Sequence, residues 1–219
     1  MDLKILSWNL RGLGQDEKII AVRNEIRRNN VTICSIQKSK KEIVDDSLIR
    51  SLWGNIGCNY LHVPSAGASG GIIVMWNDGV VHMEDFLIGD FSLTIKFRNL
   101  SDNFEWFFTS VYGAFDYNDY SQYWQELNDI RILFNYPWVL GGDFNATLSH
   151  LNRNCIGGCS ISRNFFTSFV SRHEVIDLPL SGGKFTWTNS QKPPILVRLD
   201  RFLVSDDGSP VALLLFSQD

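Results

Sequence analysis

Several polar residues able to do chemistry stand where short apolar runs of this chain end. In Gly141-Gly142-Asp143-Phe144-Asn145 a carboxylate and a carboxamide lie two residues apart, just past the run Trp138–Leu140. Two residues along an extended chain return to the same face, so Asp143 and Asn145 point the same way if the strand persists. Ser7-Trp8-Asn9-Leu10-Arg11-Gly12 places Asn9 just past the run Leu3–Trp8, and Val111-Tyr112-Gly113 places a phenol at a third such end. Arg198-Leu199-Asp200-Arg201 sets a carboxylate between two arginines. Oxygen groups of this kind suit a hard cation such as Mg²⁺, and they can orient water or contact a phosphate. Each motif alone also has a plain structural reading, since a carboxylate past a strand can cap backbone amides.

The elements that would position these groups follow from periodicity. Leu3–Trp8, Val31–Ile36, Ile72–Trp76, Val80–Phe86, Phe104–Val111 and Trp138–Leu140 read as strands. Phe91–Phe97 alternates, with Phe91, Leu93, Ile95 and Phe97 on one face. Phe185–Thr188, Val197–Val204 and Val211–Phe216 close the chain as strands. Asp16–Arg28 places Ile19, Val22 and Ile26 on one helix face. Asp119–Phe134 does so with Tyr120, Tyr123, Trp124, Leu127 and Ile130, and Arg163–Arg172 with Phe165, Phe166, Phe169 and Val170. Asn77-Asp78-Gly79 is a hairpin signal between two strands. Strand clusters flanked by a few helices predict an α/β chain of two sheets packed face to face with helices outside.

Composition limits the function classes. With 20 Lys+Arg against 24 Asp+Glu, the net charge of the 219 residues is 20 − 24 = −4. That argues against a strongly basic nucleic-acid binder, although a local basic groove can sit on an acidic body. The N-terminus lacks the pattern of a signal peptide, and no apolar run approaches the ~18 residues of a membrane span. An intracellular location, cytoplasmic or nuclear, is the expectation. Four cysteines make no disulfide framework. Cys155 and Cys159 lie near His150, but the spacing matches no standard zinc pattern, and free loop thiols are the simpler reading.

Taken together, SWNLRGLG (7–14), IQKSK (36–40), VYGAF (111–115), GGDFNATL (141–148), DLPLSGGKFTWTN (177–189) and VRLDRFLVS (197–205) resemble the endonuclease/exonuclease/phosphatase superfamily, the DNase I-like proteins. Within it they look most like the apurinic-endonuclease-like domains of plant LINE-type retrotransposons. The resemblance runs from Leu3 to about Asp206 and implies a four-layer α/β sandwich, two packed mixed sheets flanked by helices, with the site at one edge of the sheets. It implies one domain over residues 1–219, shortened towards its C-terminus. It also implies roles. Asn9 would sit beside the metal-binding acid, and Asp143 would orient or deprotonate the attacking water. Asn145 and Tyr112 would contact the phosphate. Asp200 would hold a histidine, and Arg11, Thr186 and Trp187 would line the substrate pocket.

Two members of that set are missing. The family reads LQETK where this chain reads Ile36-Gln37-Lys38-Ser39-Lys40, so Lys38 stands in place of the acid that binds magnesium. A protonated ammonium offers donors and no lone pair. One reading turns Lys38 outward, with Glu42 substituting; another lets Lys38 fill the cation position against Asp143 or Asp200. The family's terminal Ser-Asp-His is also absent, and none of His62, His82, His150 and His173 stands at a matching position. The expectation is a degenerate or repurposed domain with weak or no phosphodiesterase activity and no cofactor, acting through a partner. The alternative is an active Mg²⁺-dependent endonuclease. A protein partner or self-association through the C-terminal edge strand is one expected interaction. Weak nucleic-acid binding by Arg11, Lys38, Lys40, Lys41, Arg198 and Arg201 is the other.

Overall fold

A computed structural model describes residues 3–54, 57–66, 69–180, 183–206 and 211–216. In chain order the elements begin with β1 (Leu3–Asn9), α1 (Asp16–Asn29), β2 (Ile33–Gln37), α2 (Asp46–Trp53), β3 (Cys58–Ala66) and β4 (Ser69–Asn77). Then come β5 (Val81–Ile88), β6 (Ser92–Asn99), β7 (Glu105–Tyr112), α3 (Tyr120–Leu133) and β8 (Trp138–Asp143). The chain closes with α4 (Ser160–His173), β9 (Val175–Asp177), β10 (Trp187–Thr188), β11 (Leu196–Val197), β12 (Asp200–Ser205) and β13 (Val211–Phe216). One sheet has the order β13-β1-β2-β4-β3 and the other β5-β6-β7-β8-β12-β9, while β10 and β11 form a separate ribbon. Each of the two large sheets mixes parallel and antiparallel neighbours.

Strand alternation gives each sheet two buried faces. Leu3, Ile5, Ile33, Val74 and Trp76 of the first sheet meet Leu93, Ile95, Phe97, Trp106, Phe108, Val139 and Phe202 of the second. The intervening residues face outward: Leu6, Cys34, Ile36 and Met75 pack under Val22 and Ile26 of α1 and Ile49 and Leu52 of α2. On the far side, Phe107, Val111, Leu140 and Leu203 pack under Tyr123, Trp124 and Leu127 of α3 and Phe166 and Phe169 of α4. The result is the expected four-layer α/β sandwich. Burying each large apolar side chain contributes about 1.5–3 kcal/mol.

Several local expectations change. Asn77-Asp78-Gly79 does not close a hairpin: β4 pairs with β2 and β3, and the turn carries the chain across to β5 in the other sheet. The period of two cannot reveal which sheet a strand joins, and that ambiguity defeats the hairpin signal. Val197–Val204 is two strands broken at Arg198-Leu199. Phe91 precedes β6 and packs edge-on against Tyr123, on the helix side. Phe165 is exposed on α4, because the helix buries only the stripe of Phe166 and Phe169. Helix α2 and strand β3 went unread, although Asp45 caps α2 by accepting the Leu48 N–H at 2.8 Å. The C-terminal run lies parallel to β1, with Leu3 opposite Val211 and Trp8 opposite Phe216, and so stands at the edge of the first sheet.

Arg201 follows Asp200 on β12 and therefore faces the opposite way, toward the helices. It is 0% exposed and lies over the Phe166 ring. Its guanidinium donates to Asp177 Oδ2 at 2.5 Å, Asn152 Oδ1 at 2.9 Å and the Arg198 carbonyl at 3.2 Å. Arg198 reaches the same carboxylate at 2.8 Å. Burial lowers the Arg201 pKa to about 10, with Asp177 opposing that fall. Removing the acid strands a buried cation. Asp177→Asn is therefore expected to destabilise the fold by about 3–5 kcal/mol in urea denaturation, and a loss below about 1 kcal/mol would contradict this account.

Candidate functional site

The inner faces of five strands share one gradient, apolar in the depth of the sandwich and polar at its mouth. On β1 the inward residues are Leu3, Ile5, Ser7 and Asn9; on β2 they are Ile33, Ser35 and Gln37. On β7 they run Trp106, Phe108, Ser110 and Tyr112, and on β8 Val139, Gly141 and Asp143. Strand β12 runs the other way, so Asp200 leads Phe202 and Val204. Register then assembles the mouth. Tyr112 and Asp200 stand opposite Asp143 on its two flanks, and Asn9 stands opposite Gln37 on the facing sheet.

Directly below lies a buried polar seam that joins the sheets. Gln37 Nε2 donates to Ser35 Oγ at 2.7 Å and to Ser7 Oγ and Ser110 Oγ at 3.2 Å each. Ser35 Oγ donates to Ser110 Oγ at 2.6 Å. Sequence reasoning missed this seam; its signal was the small polar residue recurring one step inside each strand end.

At the mouth, Asn9 Nδ2 donates to Asp143 Oδ2 at 2.6 Å, and Lys38 Nζ approaches the same oxygen at 3.4 Å. A residue continuing β2 in extended form after Gln37 would face α1 and α2. Lys38 instead takes a left-handed backbone (φ 53°), which turns its side chain in over the Tyr112 ring, 4.8 Å from the centroid. It does not swing outward, and Glu42 is exposed rather than substituting for the missing acid.

The two carboxylates are almost wholly enclosed, Asp143 at 1% and Asp200 at 5% exposure. Burial holds Asp200 well above the ordinary carboxyl range, and the charge of neighbouring Asp143 adds to the rise; Thr186 and Lys38 pull the other way. Thr186 Oγ1 also accepts the Leu199 and Asp200 N–H groups at 3.0 Å each. Asn145 donates its backbone N–H to Asp143 Oδ1 at 3.0 Å and its carboxamide to the Gly113 carbonyl at 2.6 Å. Gly113 in turn donates to the Asp143 carbonyl at 2.6 Å. A side chain at Gly113 would collide with the Phe144 backbone, and one at Gly142 (φ +144°) with the Val111 carbonyl, so both glycines are required for this approach.

Thus Asn9, Lys38, Tyr112, Asp143, Asp200 and Thr186 come together. The Asn145 carboxamide, though in the same loop, is spent on Gly113. Trp187 is half-buried opposite Val197 in the small β10–β11 ribbon, and Arg11 is exposed. Arg198 and Arg201 are committed to Asp177 and do not join a basic rim. His173 pairs with Asn128 at 2.7 Å, and no histidine among the described residues bonds Asp200. Nor, among those residues, does any group of three or more His, Cys, Asp or Glu stand ready to hold a metal ion, His150, Cys155 and Cys159 included.

The sequence profile described as the endonuclease/exonuclease/phosphatase family matches residues 6–215. The chain belongs to that family. None of the curated proteins compared matches it by sequence. Among solved structures, an AP endonuclease from Archaeoglobus fulgidus superposes with a TM-score of 0.68 at 15% identity, covering 93% of this chain and 86% of that one. The endonuclease domain of TRAS1, a telomere-specific non-LTR retrotransposon, gives 0.66 at 12% identity, covering 93% and 85%. A mannosyl-6-phosphatase from Bacteroides thetaiotaomicron gives 0.65 at 15%, covering 93% and 85%. Identities this low establish the fold they share.

The family implies a divalent metal, and the donor set suits one poorly. Asn9 Oδ1 is buried without a hydrogen-bond partner and is an oxygen that would welcome a cation. Both Asp143 oxygens are already engaged, Oδ1 by the Asn145 N–H and Oδ2 by Asn9 and the Lys38 ammonium. A hard divalent ion wants several unencumbered oxygens and no cation within contact.

The raised Asp200 pKa carries a stability consequence. The folded protein keeps this proton to a higher pH than the unfolded chain, whose carboxyl titrates near ~3.9. Stability linked to Asp200 is therefore full below that value and falls as pH rises toward the folded pKa. Asp200→Asn removes the titration while keeping the shape. Thermal melts should show the variant gaining on the parent between about pH 3.5 and about pH 7. An equal difference at both pH values would show that Asp200 titrates in the folded protein as it does in the unfolded chain, and would overturn the shift.

Proposed function

We propose that this chain is a LINE-derived endonuclease-like domain of the plant type that has lost most or all phosphodiester hydrolysis and acts by binding a partner. The observation that carries the reading is Lys38 Nζ, 3.4 Å from Asp143 Oδ2, where the family pattern calls for an acid. At ~4 Å and an effective dielectric near 20, two unit charges interact by about 4 kcal/mol, and a divalent ion facing a lysine meets a penalty at least that large. The missing histidine adds to it, since an acid–base or phosphate-stabilising group is typically worth ~10² to 10⁴ in rate. A basic rim of Arg11, Lys40 and Lys41 supports weak, salt-sensitive nucleic-acid contact. The edge position of β13 supports strand addition by a partner or a second copy.

The test is the purified chain with Mg²⁺ or Mn²⁺ on abasic and supercoiled DNA. No metal-dependent cleavage is expected, and robust cleavage free of contaminating nuclease would overturn the reading. A second reading, an active metal-dependent endonuclease, draws on the retained geometry of Asn9, Asp143 and Asp200. Lys38→Glu separates the two. It is expected to create Mn²⁺ binding, seen as a metal-dependent rise in melting temperature, without restoring cleavage. If Lys38→Glu becomes a competent nuclease, the missing histidine is not what limits cleavage.

A further inference from the structure

The loop leading into α4 carries two thiols that the site above does not use. Cys155 and Cys159 are free and exposed, with only Ile156, Gly157 and Gly158 between them. Both ends of this short loop are held. Upstream, Arg198 N donates to the Asn152 carbonyl at 2.9 Å, and Leu196 N donates to Asn154 Oδ1 at 2.9 Å. Downstream, Cys159 caps α4, its Sγ accepting the Ser162 N–H at 3.5 Å. The glycines between take φ values of +129° and +95°, backbone that a side chain would resist.

Two arginines fold over the same loop. Arg153 Nη2 lies 4.0 Å from Cys155 Sγ, while a Cβ at Gly158, next to Cys159, would lie 3.3 Å from Arg153 Cδ. Arg163 Nη2 approaches that position equally and donates to the Gly157 carbonyl at 3.4 Å. Neither guanidinium has a carboxylate partner among the described residues, and the Nε of each is buried without an acceptor. The remaining thiols differ. Cys34 is fully buried and Cys58 half-buried; burial pushes both thiols up, Cys58 to about 12. They stay protonated and are poor nucleophiles near neutrality.

We propose that Cys155 and Cys159 form a thiol–disulfide exchange site for low-molecular-weight anionic disulfides, of which glutathione disulfide is the probe. One thiolate attacks a sulfur of the disulfide, forming a mixed disulfide and releasing one glutathione thiolate. The second thiolate then attacks the protein sulfur of that mixed bond and releases the second glutathione. The protein loses two hydrogens, and one glutathione disulfide becomes two glutathione thiols. Arg153 and Arg163 steer the glutathione carboxylates to the loop.

The experiment exposes the full native chain to glutathione and glutathione disulfide mixtures, quenches with acid, blocks free thiols and reads intact and peptide masses. The expected product is an intrachain Cys155–Cys159 bond with Cys34 and Cys58 still free. Cys155→Ser should stop at a glutathione adduct on Cys159. Arg153→Gln with Arg163→Gln should slow the reaction several-fold with glutathione disulfide and leave a neutral disulfide such as hydroxyethyl disulfide unaffected. Chain-to-chain dimers, adducts that persist on the parent chain, or equal reaction of all four cysteines would overturn the proposal.

Discussion

Two carboxylates on neighbouring strands, in register and almost free of solvent, set the central constraint of this molecule. Asp143 and Asp200 stand opposite each other across the β8–β12 ladder. Two negative charges at that range in a poorly solvated mouth repel strongly, and something must neutralise them. Here the work is divided. An ammonium from the facing sheet and the Asn9 carboxamide meet Asp143, while burial and that same neighbour favour a proton on Asp200.

Neutralisation across the sandwich depends on the sheets being held at a fixed separation and register. The apolar core supplies cohesion but little register, because hydrophobic contact is non-directional. The Ser7–Ser35–Gln37–Ser110 seam supplies direction. Its hydrogen bonds are satisfied from both sheets, and a buried polar network that is fully satisfied specifies one arrangement. It lies one step inside the strand ends, so it sets how Asn9 and Lys38 meet Asp143. The glycines at 113 and 142 complete the frame by letting β7 and β8 close around the Asp143 backbone.

Much of this was legible in the sequence. Strand and helix periodicity marked most strands and the buried faces of α1, α3 and α4, and the motif resemblance pointed to the family and to the grouping of Asn9, Tyr112, Asp143 and Asp200. The failures have physical causes. Arg198 and Arg201 look like part of an Asp200 cluster when read along the chain. Period two sends Arg201 to the helix side, and the partner of both is Asp177, more than twenty residues upstream. The Asn77-Asp78-Gly79 turn has hairpin chemistry but joins strands in different sheets. Lys38 could be read as facing in or out; its left-handed backbone, which decides the matter, leaves no mark in composition or periodicity.

That backbone also bears on whether Lys38 is an accident of drift. A non-glycine residue in the left-handed region carries strain of order 1–3 kcal/mol, which persists only where the surroundings compensate. At Lys38 three things do so: the carboxylate of Asp143, the face of the Tyr112 ring, and the hydrogen bonds by which Ser39 and Lys40 accompany β4 through the Gly71 and Gly70 carbonyls. An ammonium 4.8 Å from a ring centroid adds about 0.5–1 kcal/mol or more as it loses solvent. The lysine is thus bound into the mouth by backbone, ring and charge together. A side chain held in this way stabilises the fold as a resident cation would. The two carboxylates need a counter-charge in this enclosed mouth, and Lys38 is the cation that the fold holds against Asp143.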